Sequence, residues 1–202
     1  MPVPPDDPSR LARRADWARG LAAMELGPIH AAFRAAGAPE PQFVWAPHDD
    51  MPRGKPNRFL LAHWKALRGA DELPQSTRVD PAALAPALGY VNLVEPNADF
   101  SDFRYRVHGT HTAHASDGDL TGQLASQLPA SDYVTDFTVA VMGAACLRRE
   151  PLLSWRVPVG TTHTRGWEMV ILPMAGTDGG VRRLLVGSVP FGEGGRMLRA
   201  TF

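Results

Sequence analysis

The chain has 202 residues, 44% of them hydrophobic, which is enough to bury one domain with an appendage or two small domains. Its 21 Lys and Arg residues balance its 21 Asp and Glu residues. This neutral charge argues against a protein that mainly coats nucleic acid or an anionic membrane, because such binding needs a basic excess.

Cysteine content and hydropathy narrow the class of protein further. Cys146 is the only cysteine, which excludes an intramolecular disulfide and an all-cysteine metal site. The opening residues MPVPPDDPSR lack the layout of a signal peptide, and no apolar run approaches the roughly 20 residues that span a bilayer. We therefore expect a soluble cytoplasmic protein that binds neither nucleic acid nor membrane.

Residues 1–36 predict an N-terminal helical extension. Apolar residues recur at steps of three and four from Leu11 to Phe33, and Pro28 predicts a kink or a break into two helices. The apolar face is mostly alanine and too thin for a core of its own. It is expected to pack on its own domain or on a second copy of the chain, so a homodimer through this helix stays open.

Residues 37–56 hold five prolines and predict an extended linker. Phe43, Val44 and Trp45 interrupt it, and three apolar residues in a linker are expected to dock on something nearby. A helix is then predicted from a cap at Asn57 to Gly69, with an apolar stripe that includes Trp64.

Five strands are predicted after this helix, at 90–95, 102–108, 152–159, 166–175 and 181–190. Short helices follow the second strand, and a long helix runs from a cap at Ser131 to Arg149. The links between the last three strands are short, so these strands are expected to be antiparallel. The predicted fold is α+β: one five-stranded antiparallel sheet with helices packed on one face, enclosing a cavity.

The stretch FRYRVHGTHTAHASDGDLTG, residues 103–122, marks the mouth of that cavity. Its alternation predicts a strand with Phe103, Tyr105 and Val107 on one buried face. The following small helices carry His111 and His114. Asp117 lies nearby, so a metal or haem site is one interpretation, and hydrogen-bonding or solvated histidines are the favoured one.

Several segments in this order resemble a PAS domain, specifically the stand-alone bacterial group in which a Trp-bearing helix precedes the sheet. They are LLAHWKALRGADELP (60–74), VDPAALAPALGYVNLVEP (79–96), FRYRVHGT (103–110), DLTG (119–122) and RGWEMVILPMAGTDGGVRRLLVGSVPF (165–191). The resemblance covers roughly residues 57–191, with the helical extension 1–36 and the linker 37–56 before it and a tail at 192–202.

The resemblance implies a sensory or regulatory module of bacterial signalling that binds a small molecule, a partner protein or both. PAS domains hold small molecules, haem or flavin between sheet and helices. A photoreactive flavin domain carries an Asn-Cys pair in its helical segment, and here Cys146 lies in the long helix without a preceding Asn, so light sensing is not expected. No enzyme motif is present, so the module is expected to be non-catalytic.

The predicted ligand pocket combines aromatic residues that carry a polar atom with residues of the sheet and the small helices. Its lining is predicted to be Tyr105, Val107, Thr110, His111, Tyr133, Phe137, Trp155, Trp167, Met169 and Ser188. Core packing remains the alternative role for each aromatic residue. The arginines are expected to be solvated, although an anionic ligand stays open. Two further alternatives are a haem- or metal-bound protein, with His111 or His114 as the haem ligand, and an interaction adaptor with a filled core.

Overall fold

The computed structural model describes residues 7–159 and 164–200. Residues 1–6 of the predicted extension, residues 160–163 of the link before the strand at 166–175, and residues 201–202 of the tail lie outside these residues. The helices are α1 (Pro8–Ala22), α2 (Gly27–Ala35), α3 (Lys55–Arg68), α4 (Thr110–Ala115) and α5 (Asp132–Arg148). The strands are β1 (Gln42–Trp45), β2 (Val91–Pro96), β3 (Phe103–Val107), β4 (Leu152–Arg156), β5 (Gly166–Ala175) and β6 (Val181–Phe191).

All the strands form one antiparallel sheet in the order β1-β4-β5-β6-β2-β3. The α+β class and the antiparallel sheet are confirmed, but the sheet has six strands and not five. The additional strand, β1, lies inside the segment predicted to be a linker and pairs with β4. Its Phe43 and Trp45 pack against the core, which explains the apolar residues of that segment.

Helices cover both faces of the sheet, so the prediction of helices on one face was wrong. On β5, Met169 and Ile171 belong to the cluster that contains α1, α2 and α5. The alternate residues Val170 and Leu172 belong to a second cluster, which contains α3. The physical reason is visible in β5 itself, because every one of its residues is buried and a strand buried on both sides needs cover on both sides. We call the two sides the α5 face and the α3 face.

On the α3 face, a buried carboxylate of the sheet holds the start of α3. Glu168 on β5 is 2% exposed and accepts hydrogen bonds from the backbone N–H of Arg53 at 2.6 Å and of Gly54 at 2.9 Å. These groups lie at the N-terminus of α3, where a negative charge is favoured. Asn57 therefore does not cap α3 as predicted: it lies inside the helix, and its side-chain Nδ2 donates to Glu168 Oε1 at 3.0 Å.

The same interface needs a glycine on β6. A Cβ at Gly187 would lie 2.0 Å from Asn57 Oδ1 and 2.8 Å from Leu60 Cδ1. Only a residue without a side chain lets α3 approach β6 this closely. Trp64 is 1% exposed on α3, and its Nε1 donates to the Pro173 carbonyl at 2.8 Å.

The N-terminal extension forms two helices, as Pro28 predicted, and α1 packs along α5 of its own chain. The apolar side of α1 is buried there, with Trp17 at 5% and Leu21 at 0% exposure. Asp7 caps α1 by accepting from the Ser9 backbone N–H at 2.9 Å. Of the two partners that the sequence left open, the structure shows the extension on its own domain.

A buried ion cluster joins α1 to α5. The side chain of Asp136 on α5 is fully buried. It accepts hydrogen bonds from Arg10 Nη2 at 2.9 Å and Arg14 Nε at 2.6 Å, and Arg13 completes the cluster. Burial opposes ionisation of Asp136, but the three arginines outweigh it and lower the pKa of the carboxyl. None of the helices in the described part of the chain is long and apolar enough to cross a membrane.

Candidate ligand-binding site

A cavity of about 240 Å³ opens on the α5 face, between the end of α4, the loop that leads into α5 and the end of β4. Its walls combine apolar side chains with hydroxyl groups and one arginine. The lining residues are Ala115, Ser116, Asp117, Leu128, Pro129, Ala130, Ser131, Val134, Arg156, Pro158, Val159 and Trp167.

Arg156, the last residue of β4, is the charged group inside this cavity. Alternation along β4 places it on the same face as the buried residues Leu152 and Ser154. It is 8% exposed, and its Nε has no hydrogen-bond partner among the described residues. Its guanidinium carbon lies 5.5 Å from the centre of the Trp167 ring, a cation–π contact.

Burial lowers the pKa of Arg156 to about 10, and the neighbouring Tyr133 and Tyr105 oppose this effect. The guanidinium therefore keeps its positive charge at neutral pH. A buried cation without a paired anion is unfavourable, since desolvation is only partly offset by the aromatic contact. Among residues 7–159 and 164–200 no carboxylate forms an ion pair with Arg156, so no described residue neutralises the positive charge of the cavity.

Two tyrosines extend the polar surroundings of Arg156. Tyr133 is half-buried in the first turn of α5, and Tyr105 on β3 is 5% exposed, with burial raising its pKa. Both tyrosines act on the ionisation of Arg156, where they oppose the effect of burial.

The N-terminus of α5 forms another wall. Ser131 occupies the N-cap position, but its side chain makes no capping hydrogen bond. Ser131 and Val134 both line the cavity, so the positive end of a 17-residue helix borders it. The acidic residue of the first turn, Asp132, is bound to Arg10 at 2.9 Å, while Asp117 at the rim is exposed.

The structure divides the predicted pocket residues between several places. Trp167 lines the cavity, and Tyr105 and Tyr133 lie near its arginine. Phe137 and Met169 are buried on the same face, in the core beside α5. These five residues all lie on the α5 face.

Thr110, His111 and Ser188 lie away from the cavity lining, around the start of α4. Thr110 is exposed. Ser188 Oγ accepts a hydrogen bond from Asn92 Nδ2 at 3.1 Å, and the Ser188 carbonyl accepts from Thr112 Oγ1 at 3.0 Å. These contacts hold α4 on the sheet and give Ser188 a structural partner.

Val107 and Trp155 lie on the α3 face, so their grouping with Tyr105 and Trp167 was wrong. An irregularity in the pairing of β2 with β3 lets Arg106 bulge, which turns Val107 to the opposite side from Tyr105 and leaves it 47% exposed. Trp155 pairs with Glu168 across the sheet and shares its face. Its ring stacks under the Arg53 guanidinium at 4.1 Å.

The histidines have individual roles. His108 is buried, and its Nδ1 accepts from the Leu120 backbone N–H at 3.0 Å; burial lowers its pKa despite the nearby Asp119. His111 Nδ1 accepts from the Ala200 N–H at 3.0 Å, and His114 is exposed. Residues 7–159 and 164–200 contain no group of three or more His, Cys, Asp or Glu side chains arranged to hold a metal ion.

Sequence reasoning missed Arg156 and the partners of Asp136. The signal for Arg156 was present in the strand LLSWR, where alternation places the arginine on the face of Leu152. In the sequence Asp132 and Asp136 lie one turn apart on the predicted long helix, and no third group is fixed beside them. The third group is the arginine set of α1, at Arg10 and Arg14, which is spaced one helical turn apart on the facing helix.

Comparison with known proteins assigns five of the six strands, together with α3, α4 and α5, to one family. Residues 53–189 match the family model described as PAS domain. The match begins two residues before α3 and ends within β6, so it includes the cavity and excludes α1, α2 and β1. No curated protein and no solved structure gives a significant match.

Proposed function

Because the chain belongs to the PAS domain family, whose members are in general sensory or regulatory modules, we propose that it is a non-catalytic sensor that binds a small molecule. The proposed binding site is the cavity at Arg156, and the proposed setting is bacterial signalling in the cytoplasm. The observation that supports it is Arg156, a buried arginine that lines the cavity and whose Nε has no hydrogen-bond partner among the described residues.

The position of the cavity suggests how binding is transmitted. Ser131 and Val134 place the start of α5 at the cavity, and one turn later Asp136 holds α1. A ligand that binds one arrangement of this turn more tightly than another shifts the equilibrium between the two. We propose that the α5–α1 pair carries this change to a partner protein.

A homodimer through the N-terminal helix remains part of this proposal, with one restriction from the structure. The apolar side of α1 already contacts α5, so a second copy would bind the outer side, where Asp16 and Arg19 lie. Sedimentation equilibrium of the full chain tests this point. A single species with the 21.9 kDa mass of one chain at all concentrations would remove the dimer.

The sensor itself is tested by thermal unfolding in the presence of a library of charged and neutral metabolites. A ligand at about 100 times its dissociation constant stabilises a protein by about 2.7 kcal/mol, which for this size raises Tm by about 5–10 °C. We expect at least one such compound, with a smaller effect on an Arg156→Met variant. A library without any stabilising compound would favour the interaction adaptor.

The haem alternative needs a separate test, because His111 and His114 lie outside the cavity lining. An absorption spectrum of protein purified without added cofactor decides it. A Soret band that is lost in a His111→Ala or His114→Ala variant would replace the small-molecule proposal with a haem sensor. A spectrum without this band removes the haem alternative.

A further inference from the structure

We propose that the ligand is a small anion that carries a carboxylate or phosphate group, bound by Arg156 beside the N-terminus of α5. This inference rests on the proposed sensor function and adds the chemical class of its ligand. Three features of the cavity support it: the state of the arginine, the end of the helix and the size of the space.

The surroundings of Arg156 favour the binding of an anion. Arg156 is 8% exposed, and its Nε has no acceptor among residues 7–159 and 164–200. A guanidinium offers parallel N–H donors that match the two oxygens of a carboxylate or phosphate. The ring of Trp167 supports the cation on one side but supplies no acceptor for these donors.

The N-terminus of α5 adds to the positive electrostatic potential of the cavity. The first N–H groups of a helix lack partners within the helix, and the Ser131 side chain does not provide one. Asp132 would oppose an anion here, but its carboxylate is engaged by Arg10. The exposed Asp117 is the remaining carboxylate of the lining, and it lies at the rim.

The size of the cavity limits the ligand. A volume of about 240 Å³ is below the 300–1,000 Å³ that is usual for pockets that hold drug-sized molecules. Leu128, Pro158 and Trp167 supply apolar surface next to the charge. The cavity therefore fits an anionic group with a short apolar portion better than a nucleotide.

The test is a titration of the full chain with sodium acetate, inorganic phosphate and the neutral isostere acetamide, in Tris chloride buffer, followed by thermal unfolding and calorimetry. The variants are Arg156→Met, Arg156→Lys and the control Arg182→Met. Arg182 is exposed at the opposite end of the β5–β6 pair. Circular dichroism establishes that each variant is folded, and Arg156→Lys keeps the test possible if Arg156→Met does not fold.

We expect acetate or phosphate to stabilise the wild type and Arg182→Met saturably, while acetamide does not. Affinity should fall by about 10- to 100-fold in Arg156→Met, the loss typical of a hydrogen bond to a charged group, and Arg156→Lys should recover part of it. The stronger of the two ions identifies the group as carboxylate or phosphate.

Three results would overturn the inference. Equal stabilisation by acetamide would point to a neutral ligand and leave the sensor proposal intact. Equal loss of binding in Arg156→Met and Arg182→Met would indicate a general salt effect. Absence of any effect of either ion would also reject the anion, and the metabolite library would then decide the sensor proposal on its own.

Discussion

Replacing Asp136 by Asn should strongly destabilise the protein. The carboxylate is fully buried and accepts hydrogen bonds from Arg10 and Arg14, which are 4% and 1% exposed. Asn keeps the shape but removes the charge, so the buried Arg14 loses its compensating anion and Arg10 retains its ion pair with Asp132. Breaking a buried ion pair from one side typically costs 3–5 kcal/mol, and we expect a loss of about 4 kcal/mol.

The assay is urea unfolding followed by tryptophan fluorescence, and Trp17 on α1 reports directly on this interface. The matched control is Asp16→Asn, since Asp16 pairs with Arg19 on the surface of the same helix, with both side chains at least 65% exposed. Such a pair contributes about 0–1 kcal/mol. If both variants lose the same small amount, the cluster does not hold α1 on α5, and our account of the N-terminal extension is wrong.

The lowered pKa of Asp136 also predicts how the stability of the protein depends on pH. This pKa is lowered from 3.8 in the folded protein, with the arginines outweighing burial. A group whose folded pKa is lowered contributes stability above its unfolded pKa, and this contribution is lost as the pH falls through the folded value. The difference between wild type and Asp136→Asn should therefore be constant above about pH 5 and shrink below about pH 4.

Three further variants test other parts of the structure. Glu168→Ala should cost about 3 kcal/mol in urea unfolding, because two buried backbone N–H groups at the start of α3 lose their acceptor, while the exposed Glu193→Ala should change stability by less than about 1 kcal/mol. Arg156→Met should stabilise the ligand-free protein by about 1–2 kcal/mol, whereas a purely structural arginine would destabilise on removal. His108→Gln should reduce the loss of stability between pH 7.5 and about 5.5, because burial lowers the His108 pKa below 6.5 and the unfolded chain takes up the proton first; an unchanged profile would contradict the buried neutral imidazole.

The strands and most helices could be predicted because their apolar periodicity is local. β5 has the bounds predicted for it, 166–175, and its alternation puts Met169 and Val170 on opposite faces. The apolar run of β5 also indicates that helices cover both faces of the sheet, whereas the predicted fold had helices on one face only. The strand at Phe43 was missed because four residues between prolines do not show a period.

The candidate site was predicted less well because its geometry depends on contacts between distant parts of the chain. Local alternation placed Val107 beside Tyr105, and only the bulge at Arg106 in the pairing with β2 reverses it. Arg156 is hard to predict because arginine is most often exposed, and its burial depends on contacts with residues distant in the sequence, such as Trp167 and Val134. A charged residue at a core position of a strand was the available sign of the site.

The most direct test of a ligand in the cavity is the native mass of gently purified protein, compared between wild type and Arg156→Met. We predict that the wild type carries a bound small molecule that is released on denaturation, and that Arg156→Met loses most of it. A wild-type mass equal to that of the bare polypeptide, or the same bound molecule in both proteins, would contradict a sensor that binds its ligand at Arg156.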